Sequence, residues 1–234
     1  MTLAEKSISF INYLDEFINN LPTTSLSELV NQPERIAIIS VDVINGFLFE
    51  GALASPRVAA IAEPVTRLMA AAWAQGVRQI LLLQDSHNEA TQEFDAFASH
   101  ALKDTREAEA VDLIKALPFY DQLTTIYKDT IHPAINTKFN TWLEQHQDLE
   151  TVIVVGDVTD LCVYQLATYL KFHSNAFHKQ YRVIVPENCV QTWDLSVQAA
   201  KNLPAMPHDG DLLHAVFLYH LALNAVEIVK KVLF

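Results

Sequence analysis

Apolar positions in this chain fall into short unbroken runs that alternate with stretches of helical spacing. Ile36 to Val43, Arg78 to Gln84, Leu123 to Tyr127, Thr151 to Val155 and Tyr181 to Val185 are dominated by apolar and β-branched residues. Their lengths suit strands buried on both faces. Between and after them, Pro64 to Ala74, Glu107 to Leu117, Ile135 to Gln145, the segment opening at Cys162, Leu195 to Asn202 and Leu212 to Leu223 read as helices. Val226 to Val229 reads as a last short strand. The alternation predicts an α/β fold: a three-layer αβα sandwich around an open, mostly parallel, six-stranded sheet with right-handed crossovers. Ahead of it, Ile8, Phe10, Ile11, Leu14, Phe17 and Ile18 form a helical stripe, followed by a polar, proline-bearing stretch to Glu34. Residues 1–34 are therefore expected to be a helical extension packed on the domain or on a neighbouring subunit, with 35–234 as the domain itself.

Half of the 234 residues are hydrophobic, enough for one such domain. The formal charge of -12 argues against a phosphate-backbone partner and so against nucleic acid. No apolar stretch reaches membrane-spanning length, and no secretory signal pattern is present. Cys162 and Cys189 cannot build a disulfide framework, so a reducing, cytoplasmic setting is expected.

In parallel sheets the ligand crevice lies outside the carboxyl ends of the strands. There this chain places Asp42, then Asp85-Ser86-His87, then Lys128, then Gly156 to Val163 with Cys162 opening a helix. One acid after a strand is ordinary turn chemistry; four successive strands each delivering a charged or nucleophilic residue predict a cleft. Helix N-terminal amides favour thiolate and can hold a developing oxyanion. An acid beside the thiol can take its proton, and an ammonium offsets their negative charge. The plainer reading of Cys162 is a buried small hydrophobe. No Gly-x-Ser-x-Gly elbow and no phosphate loop compete, and the chain holds only 5 glycines. Asp85, His87 and His100, with Glu93 in the loop between, could form the shell of a divalent transition metal such as zinc, iron or manganese. On spacing alone a polar loop with a solvated His100 stands slightly ahead.

Asp42 with Phe47, Asp85-Ser86-His87, Lys128 and Gly156-Asp157-Val158-Thr159-Asp160-Leu161-Cys162-Val163 together resemble, in order and spacing, the isochorismatase-like cysteine hydrolases, and among them the nicotinamidases. The likeness runs from about Ile36 to the C-terminus. It implies that Asp42, Lys128 and Cys162 form a catalytic triad and that Asp85, His87 and His100 hold one divalent metal, with Glu93 at a position that sometimes ligates. It implies that Phe47 and Phe97 sandwich a pyridine ring. It also implies a cis peptide between Asp157 and Val158, aiming the Val158 and Cys162 amides at an oxyanion. The implied activity is conversion of nicotinamide to nicotinate and ammonia through a thioester. The implied partner is a small aromatic amide, with no membrane or nucleic acid, in a homo-oligomer. Alternatives are a metal-independent hydrolase of a ureido or carbamoyl amide on the same scaffold, and a catalytically silent binding protein. Departures fall on the pocket wall: Ala98-Ser99 before His100, Ala101 after it, and Asp129-Thr130-Ile131 after Lys128. His132 could line the pocket or lie on a surface loop, Cys189 is expected to be structural, His173, His178, His208, His214 and His220 carry no ligand spacing, and Trp193 is expected to pack.

Overall fold

The computed structural model describes residues 1–234. Its strands are β1 (Thr23–Ser25), β2 (Ile36–Val41), β3 (Gln79–Asp85), β4 (Thr124–Lys128), β5 (Thr151–Asp157), β6 (Arg182–Pro186), β7 (Val190–Gln191), β8 (Glu227–Val229) and β9 (Lys231–Leu233). The longer helices are α1 (Leu3–Asn19), α2 (Ala62–Ala74), α3 (Phe139–Gln145), α4 (Cys162–Ala176) and α5 (Gly210–Leu223). The main sheet is parallel in the order β4-β3-β2-β5-β6-β8. The chain steps outward from β2 to β4, then returns to place β5 against β2. The topological switch point, where such sheets open a crevice, therefore lies between β2 and β5.

Strand composition explains the layering. In β2, Ile36 and Ile38 face one core while Ala37, Ile39 and Val41 face the other. The first core takes Val65, Leu68, Met69 and Ala72 of α2. The second takes Val163, Leu166, Ala167 and Leu170 of α4, Phe139 and Trp142 of α3, and Leu218 and Leu221 of α5. Both sheet faces are thus covered, as uninterrupted apolar strands require.

The fold class is as expected, with two additions: a two-residue strand, β7, joins the six strands of the main order alongside β5, and β1 pairs in parallel with β9 in a separate two-stranded sheet. Three helix expectations need correction. Glu107 to Leu117 is not one helix: Arg106–Ala108 and Asp112–Lys115 are single turns, because Glu109 and Val111 are extended and residues 109–111 pair with the segment that follows β2. The helix expected from Ile135 starts at Phe139, because Asn136 lies in the left-handed region at φ 53°. Leu195 to Asn202 shrinks to Val197–Ala200. The N-terminal segment is woven into the domain: α1 packs against α5 through Phe10, Tyr13 and Phe17 around Tyr219, and Leu26 and Leu29 join the first core.

Candidate active site

β2, β3, β4 and β5 lie side by side, so their carboxyl ends deliver their polar residues to one place. Asp42 follows β2 in the left-handed conformation at φ 55°, which aspartate tolerates better than most residues. Its amide donates to the Leu83 carbonyl (2.8 Å), and its Oδ1 accepts the Asp85 amide (2.8 Å), binding the ends of β2 and β3 together. Lys128 closes β4 and is among the largest fully buried side chains of the protein. Its Nζ lies 2.8 Å from Asp42 Oδ2, 2.6 Å from Asp85 Oδ1 and 3.5 Å from Cys162 Sγ. Cys162 opens α4 and is 6% exposed; its sulfur and the Asp42 and Asp85 carboxylates lie within 4.8 Å of one another.

Burial and charge pull these groups in different directions. Burial works against the Lys128 ammonium, but Asp42 and Asp85 hold its pKa well above the ordinary lysine value. Burial also raises Asp85, yet Lys128 and His87 bring it below the usual carboxylate range. Burial, with the Asp85 charge, lifts Asp42 to about 7 against the pull of Lys128. Burial pushes the Cys162 thiol well up, with Lys128 opposing and the two carboxylates reinforcing. Enclosure and the facing carboxylates thus oppose the thiolate that the helix end was expected to favour, and the thiol lies beside a carboxyl poised near neutrality. Asp157, buried with no partner on either carboxyl oxygen, is raised well above its ordinary value by burial.

The peptide between Asp157 and Val158 is cis. The Val158 carbonyl accepts the amides of Leu161 (3.1 Å) and Val163 (3.2 Å), whereas the amides of Val158 and Cys162 donate to no group of the protein. Two unengaged donors at a helix N-terminus beside a thiol suit a developing oxyanion.

Adjoining this cluster, Asp85, His87, Glu93 and His100 bring ligand atoms within 4.8 Å of one another. His87 Nδ1 faces Asp129 Oδ1 at 2.8 Å, and His100 Nδ1 donates to the Ala98 carbonyl at 2.7 Å, which leaves both Nε2 atoms for a cation. His87 Nε2 is buried without a hydrogen-bond partner, with Asp85 Oδ2 at 3.5 Å. Two imidazoles, two carboxylates and an orphaned nitrogen fit a divalent transition metal. Burial opposes protonation of His87, but Asp85, Asp129 and Glu93 raise its pKa to about 9, so the surroundings favour positive charge there. Glu93 also accepts the Ile131 amide (3.2 Å).

Phe47 and Phe97 both reach His100, at 5.3 and 6.4 Å between ring centroids. Phe94, which sequence reasoning missed, lies closer than Phe97, edge-on to both His87 and His100 at 5.5 Å. Asp129 was missed as a histidine partner; its only signal was its position next to Lys128. His132 stays outside the cluster, its Nδ1 accepting the Ala134 amide (3.2 Å). Cys189 is also apart, buried, with its thiol pushed up to about 12.

The Isochorismatase family, described as an isochorismatase domain, matches residues 36–204. The chain belongs to the isochorismatase family. Among curated relatives, Nicotinamidase 1 of Arabidopsis thaliana is 26% identical over 237 residues, spanning 94% of this chain and 96% of the relative. A solved nicotinamidase from Bacillus subtilis superposes with a TM-score of 0.65 at 20% identity, covering 83% of this chain and 99% of that one. An N-carbamoylsarcosine amidase from Thermoplasma acidophilum gives 0.61 at 19%, covering 84% and 96%. A cysteine hydrolase from Pseudomonas syringae gives 0.68 at 20%, covering 85% and 90%. Within the isochorismatase family, the chain is thus similar to proteins named nicotinamidase and to a cysteine hydrolase. No helix is long and apolar enough to cross a membrane.

Proposed function

We propose that this isochorismatase-family hydrolase converts nicotinamide and water to nicotinate and ammonia, with Cys162 as nucleophile, Asp42 as acid and base, and Lys128 as their counter-charge. The observation that carries the reading is the double engagement of Asp85. One of its oxygens holds Lys128 at 2.6 Å and the other faces the orphaned His87 nitrogen at 3.5 Å. The thiol and the cation-ready cluster therefore share one residue, which suits a substrate with a ring nitrogen at one end and a carboxamide at the other.

Asp85, His87 and His100, with Glu93, would hold one zinc, iron or manganese ion, which when bound would anchor the pyridine nitrogen as a Lewis acid. Phe47, Phe97 and Phe94 supply the apolar walls for the ring. Cys162 gives its proton to Asp42, whose pKa near 7 allows it both to accept and to return a proton. The sulfur adds to the amide carbonyl, and the oxyanion takes hydrogen bonds from the Val158 and Cys162 amides, each donor worth about 3 kcal/mol. Collapse breaks the C–N bond, ammonia leaves with the proton from Asp42, and a thioester remains on Cys162. Water, losing a proton to Asp42, then releases the acid and restores the thiol. Lys128 stays charged throughout and keeps Asp42 and Asp85 from repelling each other.

The direct test is to incubate the protein with nicotinamide and quantify nicotinate, with and without chelator. Turnover that chelation abolishes supports the reading. Turnover of a carbamoyl amide that chelation leaves intact, with nicotinamide inert, replaces it by the metal-independent alternative. A cytoplasmic homo-oligomer belongs to the same proposal, and sedimentation velocity tests the assembly.

A further inference from the structure

The turn between the two free amides, Val158 to Cys162, contains two polar side chains, Thr159 and Asp160. Both are tied to a segment beyond residue 204, where the family match stops. Thr159 Oγ1 shares a hydrogen bond with His214 Nδ1 (2.9 Å), on the second turn of α5. Asp160 Oδ2 lies 2.8 Å from His208 Nε2, and Asp160 Oδ1 accepts Thr192 Oγ1 at 2.6 Å. His208 is held in turn: its Nδ1 donates to the Trp193 carbonyl (3.0 Å) and its ring stacks on Trp193 at 3.6 Å. His208 also pairs through its backbone with Leu195, its amide donating at 2.8 Å and its carbonyl accepting at 2.7 Å. All five side chains joined by these hydrogen bonds are buried, Thr159 and Thr192 completely. No hydrogen bond, ion pair or ring contact joins either histidine to the thiol cluster or the cation-ready cluster; their polar contacts with the site run through the turn.

We infer that His208 and His214 are positioning residues that hold the nucleophile turn so that the Val158 and Cys162 amides converge on one point. The physical reason is the steep cost of misplacement. An oxyanion donor acts over a narrow range of distance, and a shift of about 1 Å can cost about a hundredfold in rate. A turn of this length has few internal bonds to resist such a shift. The Thr159 amide to the Gln191 carbonyl (3.0 Å) supplies one anchor; the two histidines, later in the chain, supply further anchors through the Thr159 and Asp160 side chains. This inference rests on Cys162 being the nucleophile and not on the identity of the amide.

The experiment uses the full chain and two thiol reagents. p-Nitrophenyl acetate acylates a thiol through an oxyanion: the S–C bond forms, the aryl C–O bond breaks, and p-nitrophenolate departs. Iodoacetamide alkylates the same sulfur by displacement at a saturated carbon and develops no oxyanion. His208→Gln, His214→Gln and Thr159→Val are expected to lower the acylation rate of Cys162 by 10- to 100-fold while its alkylation rate changes less than threefold. Thr159→Ser, which keeps the hydroxyl, is expected to stay within threefold of the parent in both. Peptide mapping places the label on Cys162. The inference is overturned if acylation is unchanged in the histidine and valine variants. It is equally overturned if acylation and alkylation fall by the same factor, the mark of a loosened fold, or if Thr159→Ser is as impaired as Thr159→Val. A parent protein that is acylated at Cys162 yet inert toward nicotinamide overturns the substrate reading and leaves this one standing. A parent that resists acylation at Cys162 overturns both.

Discussion

Replacing Lys128 with methionine tests the electrostatic logic of the site most directly. The substitution keeps an unbranched side chain of similar length and removes one charge from a place with no solvent contact. The two ion pairs it breaks span 2.8 and 2.6 Å. At an effective dielectric of about 20, each is worth about 6 kcal/mol of gross attraction. Most of that is offset in the parent by the cost of burying the three charges, and the net loss on removing one member of a buried pair is about 3–5 kcal/mol. For a chain of this size that corresponds to a melting temperature lower by about 6–20 °C. The variant leaves Asp42 and Asp85 buried face to face, and their shared repulsion raises their pKa values in the folded state. A carboxyl raised on folding binds a proton that the unfolded chain has already lost, so stability falls as pH rises from the unfolded value through the folded one. The deficit against the parent is therefore expected to be largest near pH 8 and to contract toward pH 5. Urea denaturation followed by circular dichroism at both pH values, after chelator treatment so that no metal substitutes for the ammonium, reads it. A loss below about 1 kcal/mol at pH 8, or a deficit that widens on acidification, would refute the reasoning.

Other consequences are open to measurement. Cys162→Ala is expected to abolish nicotinate formation while the melting temperature and metal content stay near the parent's; a substantial residual ammonia rate would remove the nucleophile assignment. Asp129→Ala frees the His87 Nδ1 contact of 2.8 Å and should weaken metal binding about 10- to 100-fold by titration with zinc. Unchanged affinity would show that Asp129 does not orient the ring. Burial raises the Asp160 carboxyl, but His208 and Thr192 outweigh it and hold it below the ordinary value. The stability it contributes is thus present above the unfolded carboxylate pKa and lost as pH falls below it. Asp160→Asn should be less stable than the parent at pH 7, with the difference narrowing on acidification in matched denaturant titrations; a gap that grows in acid counts against the pairing. Gly156→Ala should be poorly folded or unfolded, because at φ 115° an added Cβ overlaps the Val41 carbonyl oxygen of the neighbouring strand. A melting temperature within a few degrees of the parent's would show that β2 and β5 can part there.

Much of this protein can be read without coordinates because its information is local. Ile36-Ala37-Ile38-Ile39 and Val152-Ile153-Val154-Val155 are apolar on both faces, and only a covered parallel strand buries both faces at once. That property, with helices between, is enough to place Asp42, Asp85, Lys128 and Cys162 at one sheet edge, since parallel strands put all carboxyl ends on the same side. Weak segments resisted for the converse reason: Glu107 to Leu117 and Leu195 to Asn202 take their shape from what they pack against, and β1 exists only because β9 lies beside it.

Ionisation and long-range pairing belonged to the tertiary structure. Nothing in the order of residues tells that burial pushes the pKa of the Cys162 thiol upward, for that follows from how completely the surrounding layers exclude water. Nothing tells that His208 and His214 grip Asp160 and Thr159 across 48 and 55 positions of chain. Residue type and spacing thus determined which chemistry this protein could hold and on which edge. Protonation, metal readiness and the tethering of the turn were decided by packing, because energies of burial and of contacts distant along the chain exist only once the chain is closed.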